Sequence, residues 1–271
     1  MIIRLSGADF SANNIGTIQL IKEVTQETRG LLANYSRKFT KTQKLAVQDF
    51  IDGLKSEGIW SHIENLYIPA LAGDLSETLF DVKGGVVDAT PSAEAYDIDT
   101  HGLHRVNGAS TSAVAKTKVN GSFCNFHMAM FLSRFDVDSE QTRFNTLYDG
   151  GDINFRPSIW NGLSLTQTDI ENTNMGNSLP NSGDAKGFYG FGYGTDSNFT
   201  VYNGVNKGKS KTTFSTDTTI SNVNMYIGTD INGASRSVFS QALISTGSNM
   251  GADMMITYSN LVSTLMASLL H

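Results

Sequence analysis

Carboxylates stand at alternate positions in Phe135-Asp136-Val137-Asp138-Ser139-Glu140. On a β-strand, side chains two residues apart share a face, so Asp136, Asp138 and Glu140 would be presented together. Paired carboxylates hydrolyse glycosidic bonds, one as nucleophile and the other as general acid, when they are about 5–5.5 Å apart. These residues follow the end of a clear apolar alternation and run into Gln141-Thr142, so a solvated hairpin turn is the plainer reading. No catalytic residue is assigned.

Asp149-Gly150-Gly151-Asp152 offers carboxylate oxygens of the kind calcium prefers. Two carboxylates fall short of the six to eight oxygen ligands calcium takes, and a glycine-rich turn explains the segment equally well. His101 and His104 lie three apart in an extended-looking segment, which sends their imidazoles to opposite faces and leaves zinc without a third ligand. The single cysteine, Cys124, excludes an internal disulfide and multi-cysteine metal sites. No G-x-S-x-G nucleophile elbow occurs, although a serine or cysteine triad assembled in space leaves no such trace. Gly187, Gly190, Gly192 and Gly194 alternate with Phe188, Tyr189, Phe191 and Tyr193; the spacing is not that of a phosphate loop, and the aromatic alternation reads as a strand. Neither metal nor cofactor is expected.

Sugar recognition needs aromatic faces for stacking and amides for hydroxyl groups. Trp160, Tyr189, Tyr193, Tyr202 and Asn203 are the candidates, and each also has a plain core or rim explanation. Trp160, beside Asn161-Gly162 at the mouth of a predicted loop, is the first to test.

These residues must be positioned by elements of two kinds. Residues 24–36 and 42–57 place Leu31, Leu32 and Tyr35, then Leu45, Phe50, Ile51 and Leu54, at helical spacing. Thr40 with Gln43 forms a capping-box pattern, and Gly58 falls where a left-handed terminal residue is wanted. Ile59, Trp60, Ile63, Leu66, Tyr67 and Ile68 predict a further short helix before Pro69. Beyond Gly84 the period becomes two: Cys124, Phe126, Met128, Met130 and Leu132 alternate with Asn125, His127, Ala129 and Ser133, as in a central strand. Phe199, Val201 and Asn203-Gly204 predict a hairpin, while Val223-Met225-Ile227 and residues 238–244 predict strands. Residues 161–187 read as loop with at most short strands. Met254, Tyr258, Leu261, Leu265 and Leu269 return to helical spacing. The division expected is residues 1–83, a helical region, and residues 84–271, a mainly β antiparallel sandwich. A net charge of −6 opposes a nucleic-acid or anionic-membrane partner. Neither a leader nor a membrane-spanning stretch is recognised, which predicts synthesis in a cytoplasm.

The stretch Gly53-Leu54-Lys55-Ser56-Glu57-Gly58-Ile59-Trp60-Ser61-His62-Ile63-Glu64-Asn65-Leu66-Tyr67-Ile68 resembles the LK-x-x-GIW-x-KI-x-x-LY segment of many tailed-bacteriophage virion proteins, where it precedes a concanavalin A-like (LamG-like) β-sandwich. Residues 4–16 look like the start of such proteins in phages of Bacteroides-type hosts, crAss-like phages included. His101-Gly102-Leu103, the Asn203-Gly204 hairpin, Tyr226-Ile227-Gly228 and the terminal helix fall in the family's order, although the acidic, glycine-ended helix often seen there is missing. The resemblance implies a concanavalin A-like jelly roll with an N-terminal helical region and a C-terminal helix. It also implies a structural protein of the virion surface, of head-fibre, decoration or tail-fibre type, in contact with other virion proteins and displaying a lectin-like sandwich for host or mucosal glycans; the alternatives are a glycan-degrading enzyme of the same fold or a purely structural spacer. Related glycosidases place a Glu where Asp136 stands, which leaves the carboxylate pattern incomplete.

Two expectations concern assembly. Ile2, Ile3 and Leu5 around Arg4, followed by Phe10, are β-prone and too sparse to fold alone. They read as an extended arm that adds a strand to a partner, with Ile3, Leu5 and Phe10 as particle-attachment anchors, or else as a terminus touching only its own domain. The apolar faces of residues 24–57 should bury against the sandwich or against another copy, and the second alternative predicts a dimer or trimer.

Overall fold

The computed structural model describes residues 2–4, 19–106, 115–122, 125–136, 142–143, 145–148, 154–155, 158–160, 164–166, 168–170, 173–175, 186–193, 198–203, 206–211, 219–228 and 238–270. Two helices come first. Helix α1 (Gln26–Leu32) is capped by Thr25, whose hydroxyl accepts the Thr28 N–H, and it ends at Ala33, short of the span that periodicity alone suggests. Helix α2 (Lys41–Ser56) begins with the reciprocal box: Thr40 Oγ1 accepts from Gln43 N at 3.2 Å and Gln43 Oε1 accepts from Thr40 N at 3.0 Å. Two otherwise orphaned N–H groups are thereby satisfied. Gly58, at φ 74°, turns the chain in a left-handed conformation that a Cβ would oppose.

The next apolar segment is not the helix expected from its density. A single 3-10 turn (Ile59–Ser61) leads into strand β1 (Ile63–Tyr67). Pro69 explains the difference, because it drives Ile68 out of helical geometry, to φ −125° and ψ 74°. Strand pairing then supplies the hydrogen bonds that a helix would have made internally. Four short strands follow, β2 (Leu79–Asp81), β3 (Val86–Ala89), β4 (Tyr96–Asp99) and β5 (Gly102–Arg105). The main strands are β6 (Lys116–Ser122), β7 (Phe126–Asp136), β8 (Thr146–Tyr148), β9 (Asn154–Phe155), β10 (Gly187–Tyr193), β11 (Asn198–Asn203), β12 (Asn206–Lys211), β13 (Thr219–Tyr226) and β14 (Val238–Gly247). Helix α3 (Gly251–Leu269) closes the fold.

Ten strands form the larger sheet, in the order β12-β11-β10-β7-β14-β1-β2-β3, with β5 pairing β14 beside β1 and β4 pairing β5. The smaller sheet runs β9-β8-β13-β6, and every pairing in both sheets is antiparallel. Strands β1 and β2 precede residue 84 yet belong to the larger sheet with β7 and β14. The hairpin of β11 and β12 closes at Asn203↔Asn206, where the Asn-Gly signal places it. In the segment read as loop with at most short strands, three-residue strands lie at Ser164–Thr166, Thr168–Ile170 and Thr173–Met175.

Three layers result. Between the sheets lie Phe126, Met128, Met130 and Leu132 of β7, Tyr189 and Phe191 of β10, and Val223 and Met225 of β13, all buried. This is the apolar face read from the alternation on β7. The other face of the larger sheet is buried as well: Ala129, Phe188, Ala242 and Leu243 pack under Val47, Phe50, Ile51 and Leu54 of α2 and Met255, Tyr258, Val262 and Leu265 of α3. The Phe188 and Tyr258 rings meet edge to face at 5.5 Å, and Tyr258 Oη bonds Ser245 Oγ at 2.9 Å. Helices α2 and α3 cross closely at Gly53, where a Cβ would come within 2.7 Å of Leu261 Cδ2. Each fully buried aliphatic or aromatic side chain here contributes about 1.5–3 kcal/mol. Much of the apolar surface of residues 24–57 is thus buried within the chain, whereas Leu31, Phe39 and Ala46 are only partly buried. Among the described residues no helix is long and apolar enough to cross a membrane.

Candidate functional site

With both faces of the larger sheet covered at its centre, the open sheet surface among the described residues is the outer face of the smaller one. On β6, Thr117 and Val119 are buried while Lys116, Lys118 and Asn120 are exposed; on β13, Val223 and Met225 are buried while Asn222 is exposed and Asn224 and Tyr226 are half-buried. The register sets Tyr226 opposite Lys116 and Asn224 opposite Lys118. Directly opposed residues share a face, so aromatic, ammonium and amide groups form one surface. Lys116 Nζ lies 5.5 Å from the Tyr226 ring centroid, a cation–π geometry that holds the ring against the sheet.

The far end of this face is shaped by a bulge between Ile220 and Val223. Asn222 takes φ 57°, its N–H bonds Asn120 Oδ1 at 2.8 Å, and its carbonyl accepts from Lys118 Nζ at 3.0 Å. Asparagine tolerates this left-handed backbone better than most residues, and the bulge re-aims the amide side chain. On the other flank, Thr146 and Tyr148 of β8 stand in register with Tyr226 and Asn224. The surface offers a ring for stacking, amides that donate and accept, and two ammonium groups, which is the chemistry that polar rings bearing hydroxyl and carboxylate groups require. The sequence carries its signal in the alternation of Asn222, Asn224 and Tyr226 with Val223, Met225 and Ile227. The apolar half of that strand is the stronger signal in the sequence, and the polar half gains meaning only when β6 is set beside it.

The residues singled out from the sequence are dispersed. Tyr189 is 1% exposed in the core between the sheets and cannot stack on a ligand; its alternation with Gly190 and Phe191 is that of a strand buried on both faces. The glycine-rich segment is accordingly a strand, and Gly190 is where β10 meets α3, since a Cβ there would lie 3.0 Å from Met255 Sδ. Trp160 ends the strand Ser158–Trp160, Tyr193 ends β10 opposite Phe199, and Tyr202 and Asn203 stand opposite Gly190 and Tyr189. The side chains of Trp160, Tyr193, Tyr202 and Asn203 lie outside the described residues. Asp136 ends β7 opposite Val238, whereas Asp138, Glu140, Asp149, Asp152 and Cys124 lie outside the described residues. Ile3 pairs with Leu20 in a two-stranded ribbon, and Leu5 and Phe10 lie outside the described residues. His101 sits in the turn between β4 and β5, and its carbonyl accepts from Ser133 Oγ. His104 is on β5 opposite Ser240. Among the described residues no group of three or more His, Cys, Asp or Glu could hold a metal ion.

One serine–histidine contact calls for a chemical test. His62 Nδ1 and Ser248 Oγ are 3.1 Å apart, and His127 Nδ1 donates to Ser248 O at 2.6 Å. The N–H groups that might receive an oxyanion are taken: Ser248 N bonds His62 O at 2.8 Å, and Asn249 N bonds Asn125 Oδ1 at 3.0 Å. With no carboxylate shown orienting either ring and those donors spent, the cluster lashes the β14–α3 turn to β1 and β7. His127 is fully buried, and burial pushes its pKa down to about 4, the nearby His62 adding to the effect against the Ser248 bond.

These features define an antiparallel β-sandwich protein with a helical layer over one sheet and a polar open face on the other. No protein-family model matches the chain, and no curated protein matches it. Among solved structures it is similar to the receptor binding domain of botulinum neurotoxin D (TM-score 0.54, 9% identity, 75% of this chain and 54% of that one). A second similar structure is the serotype D ligand binding domain in complex with N-acetylneuraminic acid (TM-score 0.52, 9% identity, 77% and 52%). A third is Trypanosoma rangeli sialidase in complex with a difluoro-KDN (TM-score 0.51, 11% identity, 84% and 40%). The chain spans about half the length of the toxin chains and less of the sialidase. At such identities the likeness is one of fold.

Proposed function

We propose that the chain is a non-catalytic protein of a tailed-phage virion surface whose smaller sheet binds host or mucosal glycans. The observation that carries the glycan reading is the row of exposed Lys116, Lys118, Asn120 and Asn222 and half-buried Asn224 and Tyr226 on a sandwich whose larger sheet is covered at its centre. Its two lysines favour acidic sugars. The fold likeness to a chain solved with N-acetylneuraminic acid is in keeping with that class of ligand. The virion reading rests on the resemblance of residues 53–68, which form the joint from α2 through Gly58 to β1, where the helical region passes into the sandwich.

Glycan-array binding of the purified chain tests the site. Acidic glycans should be retained, and Tyr226→Ala or Lys116→Ala should remove about 1–2 kcal/mol of affinity, roughly five- to thirtyfold, with unchanged melting. Retention unaltered by both substitutions rejects this face as the site. Incubation with bacterial and mucosal polysaccharides should release no reducing ends; release abolished by Asp138→Asn or Glu140→Gln would instead make the chain a glycosidase. Immunogold labelling of particles with antiserum against the chain tests the virion location.

A further inference from the structure

We propose that the groove between α1 and α2 is a docking site for an acidic peptide segment of a partner protein. Residues 28–48 hold Arg29, Arg37, Lys38, Lys41 and Lys44 and not one Asp or Glu, in a chain of net charge −6. These five cations line two adjoining concavities that share Arg29 and Lys44, one of about 510 Å³ and one of about 320 Å³. The nearby Lys22 and Lys55 are already paired, with Asp49 and Glu27. Arg29, Lys38, Lys41 and Lys44 make no ion pair among the described residues.

Helix physics sharpens the case. Lys41 is the first residue of α2 and Lys44 lies one turn on, with no acidic residue in the first turn. That end carries the positive pole of the helix, where carboxylates stabilise and lysines oppose. An anionic partner there relieves the repulsion among the lysines and between them and the helix end. Arg37 is held rigidly beside them, its guanidinium donating to the carbonyls of Ala70 and Leu269, so it forms a fixed positive wall rather than a free fork.

The floor between the cations is apolar, formed by Leu32, Ala33 and Phe39. Acidic peptides supply both carboxylates and apolar side chains to such a floor, whereas a phosphate backbone supplies charge alone. Long polyanions and anionic membranes are also disfavoured by the rest of the surface. With five of the 20 basic residues gathered here, the rest of the chain holds 15 basic residues, whereas of the 26 acidic ones Glu23 alone is among the lining residues. A polymer leaving the groove meets that repulsion within a Debye length, about 8–10 Å, and a short segment does not. This inference is independent of glycan binding by the sandwich.

Fluorescence anisotropy on the full chain tests it with a labelled peptide of alternating Glu and Leu. The same peptide with Gln for Glu, an oligothymidylate and phosphatidylserine vesicles are the comparisons. The acidic peptide should bind, the Gln peptide should not, and affinity should fall as salt rises. Lys38→Glu/Lys41→Glu/Lys44→Glu should weaken binding about tenfold or more. The corresponding triple Gln variant, which adds no new charge, should weaken it less and serves if the Glu variant does not fold. Peptide binding that ignores both triple variants, absence of peptide binding at low salt, or tighter lysine-dependent binding of the oligonucleotide or vesicles would overturn the assignment.

Discussion

His127 sits on β7 with its ring wholly enclosed, Nδ1 donating to Ser248 O and Nε2 without a partner. A carbonyl can only accept, so the neutral ring carries its proton on Nδ1, and protonating Nε2 would bury a cation. The folded-state pKa is about 4 and the unfolded value about 6.5, so between them the unfolded chain binds a proton that the folded chain refuses. Stability from this residue is complete above about pH 6.5 and is lost as pH falls toward 4, by roughly 3 kcal/mol in all. Urea midpoints of the wild type and His127→Gln should therefore converge on acidification, the wild type losing more; parallel curves would reject the assignment. The sequence shows His127 only as a polar residue on the mixed face of a strand. Its burial depends on α3 and the β14–α3 turn, which are more than 100 residues away. Tyr189 shows the same dependence, since an aromatic residue in a strand reads alike whether a second sheet covers it or not.

Helix α2 was legible down to its caps because its boundary chemistry is local: Thr40 and Gln43 reach each other's N–H groups within one turn. Thr40→Ala should cost about 1 kcal/mol in chemical denaturation, with secondary structure otherwise unchanged by circular dichroism. Helix α3 was legible from its spacing, but its anchoring is tertiary. Leu265 is 1% exposed in the layer that α3 shares with α2 and the larger sheet, and Leu265→Ala should cost about 2–5 kcal/mol, well above the capping change. A smaller loss would mean that this layer is less closely packed than the structure describes. Residues 59–68 depart from the expected helix for a related reason. Local apolar density fits helix or strand, and Pro69 together with the open flank of β14 decided for the strand.

At the scale of the whole molecule, attachment to a particle is tested at the N-terminal region. Ile2–Arg4 pairs with Gln19–Ile21 within the chain, yet deleting residues 1–16 should leave circular dichroism and melting unchanged while removing the protein from assembled particles; normal incorporation would reject the attachment arm, and loss of folding would make this ribbon part of the folded core. The sequence by itself determined the class of the fold: period-two alternation after residue 84, helical spacing and a capping box before it, and a terminal amphipathic helix all depend on neighbours a few residues apart. It also excluded disulfide frameworks through a single cysteine. Only the tertiary structure decided which surfaces remain free. The helices fold back over the larger sheet and bury much of the apolar surface of residues 24–57, and pairing of β6 with β13 brings Lys116 beside Tyr226 across more than 100 residues. A strand's sequence specifies that its two faces differ, but what covers each face depends on long-range contacts, and these choose which polar groups reach solvent.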